Sequence, residues 1–123
     1  MVFDHIGFNV SNFQEFKAFI SQALAPLGIV ITSEGEAWAT IGRKGEGFLW
    51  FGSFGASPGP THIAFAAKNR EQVRQFHAAA LAAGGKDNGP PGLRPHYHAN
   101  YYGAFVIGPD GHNVEAVCHE PEA

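Results

Sequence analysis

The sequence is short of cysteine, of charged residues and of long apolar runs. Its single cysteine, Cys118, excludes a disulfide within the chain and is typical of reducing compartments. Its 8 Lys and Arg residues are scattered and outnumbered by 11 Asp and Glu, so no nucleic-acid partner is expected. No apolar stretch approaches the length of a membrane span, and no basic region followed by an apolar run opens the sequence. We therefore expect a cytoplasmic protein without a membrane partner.

The residues that are abundant indicate a compact fold rich in turns. The chain has 123 residues, 45% of them hydrophobic, with 16 glycines, 8 prolines and 11 phenylalanines. A chain of this length is about the size of one domain and buries roughly two thirds of the surface that its unfolded form exposes. We predict a single domain over residues 1–123.

An internal repeat organises this domain. The segment 5–10 (HIGFNV) aligns with 62–67 (HIAFAA) at an offset of 57, and each reads as a strand followed by a helix. The helices share a capping pair, Asn12 with Glu15 and Asn69 with Gln72, followed by an apolar stripe. Further strands are predicted after the helices at 29–33, 37–41, 47–54, 101–107 and 113–118.

The pattern predicts an α+β fold of two tandem βαβββ modules. Module one covers 1–54, a Gly- and Pro-containing linker covers 55–60, and module two covers 61–123. The turns at 42–45 and 108–111 align at an offset of 66. The glycine and proline density of 85–94 predicts a loop where module one has a strand.

Three side chains stand out as candidate metal ligands. Strand alternation places His5 and its repeat equivalent His62 on the face opposite the predicted helices, while Glu115 is a lone carboxylate in an apolar strand. A buried carboxylate is costly unless it is paired or bound to a metal. Two histidines and a carboxylate form a set used by divalent iron, manganese and zinc. The alternative is two structural histidines beside a metal-free pocket.

Motifs along the whole chain resemble the vicinal oxygen chelate superfamily, the glyoxalase, bleomycin-resistance and extradiol dioxygenase group. They are 4–7 (DHIG), 61–65 (THIAF) and 108–115 (GPDGHNVE). The resemblance implies a curved mixed sheet, a cup, with a helix packed outside each module. It also implies a homodimer, and a single divalent ion, Fe, Mn, Zn or Ni, held by His5, His62 and Glu115.

Two further features refine the resemblance. Glyoxalase-type members have a fourth ligand in module one, and the offset of 66 puts Leu49, which cannot ligate, at that position. The remaining His, His, Glu set is similar to that of extradiol dioxygenases, which carry His and Tyr ahead of the glutamate. This makes His98, Tyr101 and Tyr102 candidate catalytic residues, the alternative being an edge strand with ordinary aromatic side chains. No residue is assigned to an organic cofactor.

The resulting functional hypothesis is a metal-dependent lyase or dioxygenase acting on a small substrate with vicinal oxygens. One alternative is a metal-free binding protein that sequesters a ligand, as resistance proteins do, and another is a catalytically silent scaffold module. Trp38, Trp50, Phe48 and Phe51 are interpreted as core or cup-wall residues, which strand spacing does not separate from a substrate platform. His112 and His119 are expected to face solvent.

Overall fold

The computed structural model describes residues 3–122 and consists of two βαβββ modules, which confirms the predicted α+β fold. In module one, sheet A has the strand order β1-β4-β3-β2; in module two, sheet B has the order β5-β8-β7-β6. The elements of module one are β1 (His5–Asn9), α1 (Phe13–Leu24), a short 3-10 helix (Ala25–Leu27), β2 (Val30–Glu34), β3 (Trp38–Gly42) and β4 (Phe48–Gly52). Those of module two are β5 (His62–Ala66), α2 (Arg70–Ala82), β6 (Lys86–Leu93), β7 (Tyr102–Ile107), a short 3-10 helix (Pro109–Gly111) and β8 (Asn113–Cys118).

Both helices begin at the predicted caps. The Asn12 side chain accepts a hydrogen bond from the Glu15 backbone N–H at 3.0 Å, and Asn69 accepts one from the Gln72 N–H at 2.8 Å. Each bond satisfies a backbone donor that the first helical turn leaves unpaired. No helix within residues 3–122 is long and apolar enough to cross a membrane.

The loop predicted over 85–94 is instead a strand, β6, and that prediction is wrong. The strand pairs with β7 through two irregularities, between Asp87 and Gly89 and between Gly89 and Gly92. Because β6 is the outer strand of sheet B, its prolines, Pro90 and Pro91, remove no ladder hydrogen bond that a second neighbour would need. Bulges and an edge position let a glycine- and proline-rich segment pair as a strand.

The strand register corrects the predicted repeat offset by one residue. In the parallel pairs, Gly7 lies opposite Trp50 in sheet A, and Ala64 lies opposite Glu115 in sheet B. The structural equivalent of Glu115 is therefore Trp50 and not Leu49, which is buried towards the helix. The turn glycines Gly45 and Gly111, both with positive φ, had suggested the longer offset. Tryptophan has no ligating atom either, so β4 supplies no fourth ligand.

The core lies between the two sheets and the two helices. The helices α1 and α2 also pack against each other. Phe16 of α1 contacts Phe51 of β4 edge to face with ring centroids 4.9 Å apart, and Phe8 of β1 at 5.9 Å. In module two, Val73 and Phe76 of α2 are fully buried. The faces of sheets A and B that point away from their helices, called the open faces below, are left to carry the functional residues.

Besides the packing of the two helices, hydrogen bonds and a buried histidine connect the modules within residues 3–122. The Arg43 guanidinium donates to the Ala66 carbonyl at 2.7 Å, and the Asp110 carboxylate accepts from the Ser11 N–H at 2.7 Å. His112 was expected to face solvent but is buried, with its ring 4.6 Å from that of Phe8. The expectation failed because the contact is made across modules, which local sequence does not reveal.

Candidate functional site

The best-defined polar site lies on the open face of sheet B, between β5 and β8. Glu115 is only 1% exposed, an unusual burial for a carboxylate. Its neighbours Val114 and Ala116 are apolar and face the other side of the strand. The His62 ring donates through Nε2 to Glu115 Oε1 at 2.7 Å. The two predicted ligands of module two therefore lie side by side with their polar atoms converging on one point.

Tyr101 occupies the second oxygen of the same carboxylate. Its hydroxyl donates to Glu115 Oε2. Burial, followed by the hydrogen bond to Glu115, raises the pKa of Tyr101 above its ordinary value, so the phenol remains a hydrogen-bond donor into the alkaline range. A Cβ on Gly103 would stand 3.1 Å from Tyr101 Cε1 and 3.3 Å from Glu115 Oε2, so glycine leaves the room in which this bond forms.

His5 lies on the open face of sheet A, apart from the other two candidate ligands. Its Nδ1 donates to Asp4 Oδ1 at 2.7 Å, and its ring stacks on Phe48 with centroids 4.9 Å apart and planes 6° from parallel. A proton held on Nδ1 leaves the Nε2 lone pair available to a ligand. Within residues 3–122 of one chain, no group of three or more His, Cys, Asp or Glu side chains could hold a metal ion.

His98 lies at the rim of the site. It is exposed, and its Nδ1 accepts from the Asn100 N–H at 3.2 Å. Its ring is 5.2 Å from that of His119, which in turn is 5.3 Å from the Tyr101 ring. His98 therefore stands two rings away from Glu115, and His119 links it to Tyr101.

Tyr102 lies outside the site, contrary to its proposed catalytic role. Consecutive strand residues alternate faces, so Tyr102 points towards α2 while Glu115 points to the open face. Its hydroxyl accepts from Arg74 at 3.2 Å, and the Arg70 guanidinium lies over its ring. These contacts attach β7 to the helix.

Three contributors to the site were missed at the level of sequence. Asp4 stands directly before His5, a place that is a sequence signal for an imidazole partner. His119 follows the end of β8, where its position alone predicts only a solvent-facing side chain. Gly103 carries no local signal at all, because its role depends on a contact between two other side chains.

A known family model matches most of the chain. It describes the Glyoxalase/Bleomycin resistance protein/Dioxygenase superfamily and matches residues 2–116. The chain belongs to this superfamily. No functionally curated protein matches it.

Solved structures from this superfamily share the fold over nearly the whole chain. A glyoxalase/bleomycin resistance protein from Albidiferax ferrireducens is 27% identical, with a TM-score of 0.83, covering 98% of this chain and 100% of its own. A glyoxalase/bleomycin resistance protein/dioxygenase family enzyme from Burkholderia phytofirmans is 15% identical, with a TM-score of 0.73 and coverages of 95% and 98%. A glyoxalase-related enzyme from Fulvimarina pelagi is 16% identical, with a TM-score of 0.73 and coverages of 94% and 86%. At these identities the last two show the fold alone.

The donor atoms of the two open faces suit a divalent metal ion. Imidazole nitrogen and carboxylate oxygen are ligands for divalent iron, manganese, zinc and nickel. His62 and Glu115 already converge, and the Asp4 partner gives His5 the tautomer of a ligating imidazole. What a single chain lacks is the approach of His5 to the other two.

Proposed function

We propose that this protein is a divalent-metal-dependent enzyme of the glyoxalase and extradiol dioxygenase type, acting in the cytoplasm on a small substrate with vicinal oxygens. The observation that carries the proposal is Glu115, a carboxylate 1% exposed whose Oε1 faces His62, the repeat equivalent of His5. A carboxylate in an apolar strand is costly unless its charge is compensated. Tyr101 and His62 compensate part of it, and a bound cation would compensate the remainder.

The proposal requires a homodimer. His62 and Glu115 lie on the open face of sheet B, His5 lies on the open face of sheet A, and one chain keeps them apart. A second copy that sets its sheet A against sheet B of the first would bring its His5 to the His62 and Glu115 pair. Twofold symmetry would form two such sites in each dimer.

The chemistry assigns separate roles to the surrounding side chains. A divalent ion held by His5, His62 and Glu115 would act as a Lewis acid towards two neighbouring substrate oxygens. Tyr101 keeps Glu115 oriented, because its hydroxyl is engaged with Oε2. His98 is exposed at the rim and is our candidate acid or base, since an imidazole ring can both donate and accept a proton. The identity of the metal would narrow the reaction type, with iron favouring oxygenation.

Metal content tests this function directly. Freshly purified protein is analysed by mass spectrometry beside the variants His5→Ala, His62→Ala and Glu115→Gln, each checked for folding by circular dichroism. We expect close to one ion per chain in the wild type and a loss in all three variants, while His77→Ala, altered at a histidine on α2 that bonds Asp87, keeps its metal. A wild type that neither carries nor takes up Fe, Mn, Zn or Ni would falsify the proposal.

A second candidate is a metal-free binding protein that sequesters a small ligand. It is favoured by Trp50, an aromatic residue at the position equivalent to Glu115, and by the separation of His5 from the other donors. On this hypothesis the His62 and Glu115 pair is a hydrogen-bonded structural unit. Metal content distinguishes the two functions. The metal enzyme carries an ion and loses it on His5→Ala, whereas the binding protein carries none before or after this substitution.

A further inference from the structure

Arg94 places a positive charge on the open face of sheet B. It follows the last residue of β6, and its backbone N–H donates to the Tyr101 carbonyl at 2.7 Å. The guanidinium lies over the Phe105 ring, with Cζ 5.4 Å from the ring centroid. Phe105 pairs with Glu115 in the strand register, so their side chains share a face, and its ring is 6.1 Å from that of His62. One aromatic ring therefore separates Arg94 from the donors of the candidate site.

The irregular strand β6 holds the guanidinium in place. Its Nη1 donates to the Gly92 carbonyl at 2.8 Å, and its Nη2 donates to the Pro90 carbonyl at 2.9 Å. A Cβ on Gly89 would stand 3.1 Å from Arg94 Nη2, and one on Gly92 would stand 3.1 Å from Nη1. The two glycines that interrupt the pairing of β6 with β7 thus leave room for this side chain. Because carbonyls are uncharged, these contacts fix the guanidinium without neutralising it.

No carboxylate within residues 3–122 forms an ion pair with Arg94. A guanidinium has five N–H groups, and the two carbonyls of β6 take two of them. The other three have no acceptor in the part of the chain that the structure describes. Arg74 differs in this respect, because it also lies over a tyrosine ring but is bound to the carboxylates of Glu71 and Glu122. Arg94 is thus a held cation with donors to spare beside a polar site.

We propose that Arg94 binds a carboxylate of the substrate, which makes the substrate a small carboxylic acid whose vicinal oxygens lie apart from that carboxylate. The identification of the ligand as the substrate rests on the proposed function, whereas anion binding at Arg94 does not require a metal. The planar fork of a guanidinium matches the two oxygens of a carboxylate. A single carboxylate also balances its one positive charge, whereas a phosphate dianion would leave negative charge beside Glu115.

Isothermal titration calorimetry with two probes of the same shape tests the proposal. The probes are 5,6-dihydroxyhexanoate, with a vicinal diol at one end and a carboxylate at the other, and 5,6-dihydroxyhexanamide, in which an uncharged amide replaces the carboxylate. We expect the wild type to bind the acid about 3- to 10-fold more tightly than the amide, as for a charge-assisted contact that is partly exposed. Arg94→Gln should abolish this preference. Arg74→Gln is the matched control and should keep it, because its charge is already paired.

A second variant separates the charge of Arg94 from its hold on β6. Arg94→Lys keeps a positive charge but has no fork to reach two carbonyls, so it should retain part of the preference for the acid. A role confined to fastening β6 would move stability and leave the ratio of the two affinities unchanged.

Three results would overturn the inference. They are a wild type that binds the acid no more tightly than the amide, a preference that survives Arg94→Gln, and a loss in Arg94→Lys or Arg74→Gln as complete as that in Arg94→Gln. Absence of metal from the wild type would instead overturn the proposed function, and the comparison of acid with amide would still decide on Arg94.

Discussion

Tyr101 forms a hydrogen bond with one oxygen of the Glu115 carboxylate, and His62 forms one with the other. Oε2 accepts from the phenol, and Oε1 accepts from His62 at 2.7 Å. A carboxylate held at both oxygens has little freedom to rotate, so the atom turned towards the open face is set by the protein. Tyr101 acts on any ligand of this site through Glu115.

Removing the Tyr101 hydroxyl should weaken metal binding while leaving all three ligands in place. Partners that orient a ligand typically contribute about 10- to 100-fold to metal affinity. We therefore expect Tyr101→Phe to lower zinc affinity within that range, measured by competition with a chromophoric chelator. Tyr97→Phe serves as the control, because the Tyr97 ring contacts Tyr101 at 5.0 Å but has no hydrogen bond to Glu115. Equal affinities in the two variants would contradict this role.

Tyr101 should also ionise only at strongly alkaline pH. Burial and the neighbouring carboxylate raise its pKa, since both disfavour the phenolate. The unfolded chain loses this proton near the ordinary value of about 10 and the folded chain holds it, so the resulting stabilisation is lost as pH rises beyond 10. The difference in phenolate absorbance between the wild type and Tyr101→Phe reports the ionisation of Tyr101 alone. We expect this difference to stay near zero at pH 10. A normal phenolate signal there would show that Glu115 is not its partner.

The repeat, the helix caps and the face on which each strand side chain lies could be predicted from sequence because they depend on local signals. Asn12 and Asn69 cap the helices as expected, and His62 and Glu115 project to the same face because strand residues alternate. Contacts made across the fold left no such signal. The prediction that His112 faces solvent is wrong for this reason, since its ring packs against Phe8 of the other module. In β7 the strand alternation turns Tyr102 towards α2, on the face opposite that of Glu115.

The buried His112 should make stability depend on pH. Burial lowers its pKa below the ordinary value of about 6.5, with Asp110 opposing the shift. Between the lowered pKa of His112 in the folded state and its ordinary pKa in the unfolded chain, the unfolded state binds more protons. The free energy of unfolding therefore falls as pH falls through this range, by up to about 1.4 kcal/mol per pH unit for one group. Urea denaturation at pH 7 and at pH 5.5 should show this loss in the wild type.

The same measurement on two variants assigns the effect to His112. In His112→Gln the side-chain oxygen can still accept from the Thr61 N–H, as His112 Nδ1 does at 3.1 Å, but the group no longer titrates. The difference between pH 7 and pH 5.5 should therefore shrink in this variant. His119→Gln removes an exposed histidine and should leave the difference as in the wild type. An unchanged pH dependence in His112→Gln would refute the assignment.

Mixing two inactive variants should distinguish a shared metal site from one built within a single chain. His5→Ala and Glu115→Gln each lose every site as homodimers if His5 comes from the partner. In a heterodimer, the intact His5 of one chain meets the intact His62 and Glu115 of the other, so one of its two sites is complete. Random exchange makes half of the dimers mixed, and metal binding should return to about one quarter of the wild-type level. A site assembled within one chain would recover nothing on mixing, because neither chain then holds a complete set.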